Sequence, residues 1–80
     1  MQTYLKNIGK TFTVKGFNEA RTVKVNGFYY LAGKLKYPAY ECEVIGDYKH
    51  FKNGERENFL CKEVLQSNND LKPIIRVLSA

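Results

Sequence analysis

Tyr48-Lys49-His50-Phe51-Lys52-Asn53-Gly54-Glu55-Arg56-Glu57-Asn58-Phe59-Leu60-Cys61 is the stretch on which the reading of the chain turns. Asn-Gly between two extended runs is a strong hairpin signal, because a type I′ turn needs positive φ at both central residues. With Asn53 and Gly54 in those places, Lys52 faces Glu55, His50 faces Glu57 and Tyr48 faces Phe59. Two polar pairs and one aromatic pair follow, and such cross-strand pairs are the units that stabilise a sheet.

Upstream the same alternation recurs. Phe12 and Val14 alternate with Thr and Lys in residues 10–15, the period-2 pattern of a half-buried strand, and Gly16-Phe17-Asn18-Glu19 reads as a turn. Residues 21–25 alternate again and run into Asn26-Gly27. A two-residue hairpin there puts Val23, Val25, Phe28 and Tyr30 on one face and Thr22, Lys24, Tyr29 and Leu31 on the other. The rival is one long strand, bulged, with Gly27 at the bend; the hairpin is preferred. Gly33–Pro38 is a basic loop, and Tyr40, Cys42 and Val44 alternate inward from residue 39 to 45. Carried through Gly46, that parity puts Tyr48 inside, and the turn register adds Phe59 and Cys61.

At the ends the pattern is less regular. Tyr4, Leu5 and Ile8 suit one helical turn or an irregular lead-in. Residues 62–66 suit a short helical turn, Ser67-Asn68-Asn69-Asp70 a polar loop, and residues 73–78 a final strand that Pro73 opens. The fold class expected is all-β, mainly antiparallel: a small SH3-like barrel, or a curled β-meander with one short helical turn. The order of meander, helical turn and last strand resembles SH3-like small barrels of the Tudor type. That resemblance lies in the pattern of elements and carries no function, since folds of this kind host many. The core expected is Phe12, Val14, Val23, Val25, Tyr40, Cys42, Val44, Phe59, Cys61, Val64, Ile75 and Val77.

Eighty residues make one domain spanning 1–80, with a small core. Eleven Phe and Tyr residues and a 44% hydrophobic share suffice to pack it. The ends read as those of a complete small gene product. No apolar h-region and no membrane-length apolar run occurs, so a cytoplasmic protein is expected. There Cys42 and Cys61 are expected as buried thiols. The net charge of +5 is uneven: residues 1–38 carry seven basic side chains against Glu19 alone.

Little here suits catalysis. The one histidine, His50, has Glu57 as its expected partner but no nucleophile beside them. Glu41 and Glu43 sit two apart on one outward face, where carboxylates more often solubilise a sheet or meet a basic strand. Cys42, Cys61 and His50 lack zinc-ligand spacing, and the six glycines form no phosphate loop. Neither a metal nor a cofactor is expected.

The positive signal is basic and aromatic. Lys24, Tyr29, Lys34, Lys36 and Tyr37 gather around the second Asn-Gly, with Arg21 on the adjoining run. Lysines neutralise phosphates and exposed tyrosines stack on bases. The plainer account is that strand tyrosines are half-buried core and lysines cover exposed edges. The expectation is a non-enzymatic module that binds nucleic acid, DNA or RNA, through Arg21, Lys24, Tyr29, Lys34, Lys36 and Tyr37. The alternative is a protein-binding module that meets an acidic surface, an inhibitor or regulator of a host enzyme like the adaptors of phages and mobile elements. No membrane partner is expected; the state is monomer or homodimer.

Overall fold

A computed structural model describes residues 3–16, 19–70, 73–74 and 78. The expected core residues Ile75 and Val77 and the turn residues Phe17 and Asn18 lie outside them. Four strands, β1 (Thr11–Lys15), β2 (Ala20–Tyr30), β3 (Pro38–Ile45) and β4 (Arg56–Leu60), form one antiparallel sheet in the order of the chain. One helix, α1 (Cys61–Asp70), follows β4 directly.

Period-2 alternation sets the faces. Phe12 and Val14, Val23 and Val25, Tyr40, Cys42 and Val44, and Phe59 share the inner face by register. Cys61 and Val64 of α1 and Ile74 complete the core, with Phe12 half-buried at its margin. The outer face carries Thr11, Lys24, Glu43 and Arg56 in one cross-strand row.

The expected hairpin at Asn26-Gly27 is absent: β2 runs through it, and a bulge between Val25 and Gly27 shifts the pairing with β3. Both readings put Val25 and Phe28 on the same face, which is why alternation alone favoured neither. What fixes the bulge is polar. The Asn26 amide donates to Glu43 at 2.7 Å, and the Glu41 carboxylate lies where a Cβ on residue 27 would stand.

The Asn53-Gly54 register is also corrected. Residues 52–55 do turn, with the Glu55 N–H donating to the Lys52 carbonyl, but positive φ occurs at Gly54 and not at Asn53. β4 starts at Arg56 and sets Phe59 opposite Tyr40 and Glu57 opposite Cys42, so neither Tyr48–Phe59 nor His50–Glu57 forms. Residues 46–55 are instead a loop held by side chains that outbid the ladder. Glu19 accepts from the Lys49 and His50 N–H groups, and Asp47 from the Asn53 N–H. The Asn53 side-chain Oδ1 accepts from the Gly46 N–H.

Residues 67–70, expected as a loop, continue α1. Their polar side chains are what the position needs. Ser67 Oγ accepts from the Lys15 N–H at 2.8 Å and Asn68 Oδ1 from the Thr13 N–H at 2.9 Å. The outward amides of β1 are thereby satisfied by the helix. Beyond α1, single bridges join Pro73 to Lys15 on β1 and Leu78 to Asn58 on β4. Among the described residues no continuous ladder closes the sheet.

The lead-in forms a 3₁₀ turn over Thr3–Asn7, anchored from within the core. The Tyr40 hydroxyl accepts from the Asn7 amide at 3.0 Å and donates to the Tyr4 carbonyl at 2.8 Å. Tyr40→Phe strips both partners and leaves the buried Asn7 amide unpaired. A cost of about 1–3 kcal/mol in denaturant unfolding is expected. An unchanged midpoint would contradict this anchoring.

Both cysteines are free and buried, as expected. Burial pushes the Cys42 thiol up to about 12 from its ordinary 9.0, with Cys61 and Glu57 adding to the effect. Burial likewise pushes Cys61 up to about 12, against a smaller lowering by Tyr40. The folded state therefore keeps protons that the unfolded chain loses. Stability is full below pH 9.0 and falls as pH rises toward about 12. Unfolding midpoints measured across that window should decline, and less steeply in Cys42→Ala. A flat profile would show that the thiols ionise as freely folded as unfolded.

Candidate functional site

The β2–β3 connection is exposed and basic, with residues 32–37 all exposed and Lys34 and Lys36 among them. A tight turn at Leu31–Gly33, closed by the Lys34 N–H on the Leu31 carbonyl at 3.0 Å, is followed by a second turn, in which the Tyr37 N–H donates to the Lys34 carbonyl at 3.0 Å. The Leu31 N–H closes the tip on the Tyr37 carbonyl at 2.8 Å. Ala32 and Gly33 take positive φ, at 54° and 71°, which turns the chain tightly enough for the tip to project.

Lys34, Lys36 and Tyr37 are brought together there and all are exposed. The Lys36 ammonium stands 5.3 Å from the Tyr37 ring centroid, a cation held against an aromatic face. Leu35 between the lysines is 76% exposed. No acidic residue occurs from residue 20 to residue 40, so nothing in this segment offsets the tip.

The other expected site residues sit elsewhere. Tyr29 is on the outer face of β2, beside the tip and half-buried. Its hydroxyl is buried beside Asn58. Burial pushes this phenol up, Asn58 lowers it less, and the Glu41 charge raises it further. Lys24 is exposed near the other end of β2, opposite Glu43, which in turn faces Arg56. That row alternates in sign, so Lys24 belongs to a mixed surface and not to the basic tip.

Arg21 leaves the set altogether. It is 4% exposed, on the inner face, and holds Glu57 through two bonds of 2.6 and 2.9 Å. Its guanidinium carbon lies 3.8 Å from the centroid of the Phe51 ring. Buried, with its charge matched by Glu57 in a bidentate pair, it does not belong to a phosphate-binding surface.

One feature of the outer face was missed in the sequence. A depression of about 260 Å³ opens beside the bulge, lined by Asn26, Glu41, Arg56, Asn58 and Cys42. Its one signal was Gly27 inside an otherwise strand-like run, a mark of bulges and of close approach. Among the described residues no group of three or more His, Cys, Asp or Glu side chains is arranged to hold a metal, and no helix is long and apolar enough to cross a membrane.

Comparison with protein-family models, with curated proteins and with solved structures finds no match to this chain.

Proposed function

We propose that the protein is a non-enzymatic, cytoplasmic binding module that engages nucleic acid through the β2–β3 tip. Lys34 and Lys36 supply phosphate contacts and Tyr37 a stacking face. The observation that carries this reading is the grouping of these three exposed side chains on one projecting turn, unopposed by any acidic residue from 20 to 40. Tyr29 adds aromatic surface next to the tip. Arg21 takes no part, and Lys24 contributes only if the strand extends along the outer face. The SH3-like barrel is proposed with it, on the support of the Pro73 bridge to β1 and the Leu78 bridge to β4.

Each phosphate neutralised contributes about 0.7–0.9 to the slope of log affinity against log salt. Lys34→Ala/Lys36→Ala should therefore weaken binding and flatten that slope by about 1.5, with no change in unfolding midpoint. An unaltered affinity and slope would remove the tip from the reading.

Leu35 supports a second reading. So exposed an apolar side chain at the centre of a contact surface suits insertion into a protein pocket, with the flanking lysines meeting an acidic rim. A complex of that kind loses affinity only modestly with salt and strongly on Leu35→Ala.

A further inference from the structure

We propose that the depression beside the bulge is a seat for a guanine base, presented by the single strand that the tip holds; the strand's presence rests on the reading of the tip given above. Gly27 makes the room. The Glu41 carboxylate occupies the space that any larger residue would fill, against the Cα of Gly27. Asn58 stands opposite Glu41 on β4, and Arg56, two residues before it, also lines the depression; both bear N–H donors. Asn58 is 92% buried, so its amide is fixed in place. The Tyr29 hydroxyl is buried beside it.

The donor and acceptor pattern selects the base. A carboxylate presents two adjacent acceptors, and guanine alone has two adjacent donors, N1–H and N2–H, on its pairing edge. Adenine and cytosine set a donor beside an acceptor there, and uracil or thymine sets one donor between two acceptors. The guanine O6 and N7 acceptors then turn to Arg56 and Asn58, as arginine commonly meets them. Reaching a pairing edge requires an unpaired base, which makes the ligand single-stranded. Position agrees: Tyr29 lies on the outer face of β2 between the tip and Gly27. A strand held by Lys34 and Lys36 passes Tyr29 on its way to the depression.

The test has two arms. In the first, guanosine, adenosine, cytidine and uridine 5′-monophosphates are titrated into the isotope-labelled protein and amide shifts are followed. Guanosine monophosphate alone should move Gly27, Glu41 and Asn58. In the second, guanine-containing and guanine-free single strands are compared by anisotropy. The guanine strand should bind about tenfold tighter or more, as one bidentate base contact implies. Glu41→Gln, an exposed isosteric change, should erase that preference and leave the salt-dependent affinity. Gly27→Ala, which displaces the carboxylate, should do the same. Equal affinity for both strands, with no selective shift at the depression, overturns the seat and leaves the tip reading intact. Selective shifts with guanosine monophosphate and no strand binding keep the seat and sink the tip. No response in either arm sinks both.

Discussion

Glu57→Gln will destabilise the domain by about 3–5 kcal/mol, the usual cost of leaving a buried charge without its partner. Arg21 is held on the inner face by both Glu57 oxygens, and neither side chain is more than 6% exposed. Glutamine keeps the shape and one acceptor, yet the guanidinium stays positive under Phe51 with no counter-charge. An 80-residue domain is stable by about 4–12 kcal/mol, so much of that reserve disappears. The converse is as informative. Arg21→Met/Glu57→Leu removes both charges and fills the space with apolar groups, and most of the lost stability should return. A double variant as unstable as Glu57→Gln would show that the pair does more than match its own charges. Urea unfolding of the three proteins decides this.

Phe59→Ala should cost a similar amount, about 3–5 kcal/mol. Phe59 is fully buried, opposite Tyr40, and its ring centroid lies 5.7 Å from the Arg21 guanidinium carbon. Truncation opens a cavity in the inner face and also removes apolar cover from the ion pair. Phe59→Leu keeps most of the volume and should cost less than half as much. Equal losses for Leu and Ala would mean that the ring's shape, and not its volume, holds this part of the core.

How much of this was legible in the sequence follows from parity. Tyr40, Cys42 and Val44 alternate cleanly, and the structure keeps all three inside. The same rule held a warning that the surface reading passed over. Arg21 shares parity with Val23 and Val25, and Glu57 with Phe59 and Cys61, so opposite charges stood at inward positions in two strands. A buried pair was readable from that alone. The bulge was not, because a hairpin at Asn26-Gly27 and a bulge there present identical faces. Nor was the 46–55 loop, whose bonds to Glu19 come from 30 and 31 residues away. α1 outran its signal because Ser67 and Asn68, weak helix formers, find their partners on β1. Lys34, Lys36 and Tyr37, close in sequence, stand exposed together on the tip. The depression was missed, since its lining comes from three strands whose register the Asn-Gly reading had displaced.

The central claim is that the tip meets nucleic acid. It is tested most directly by anisotropy titration of the protein into labelled single- and double-stranded DNA and RNA at two salt concentrations. The account predicts saturable binding that weakens steeply with salt, strongest for a single-stranded form. Absence of binding at low salt would contradict it and leave the Leu35-centred protein contact as the use of the tip.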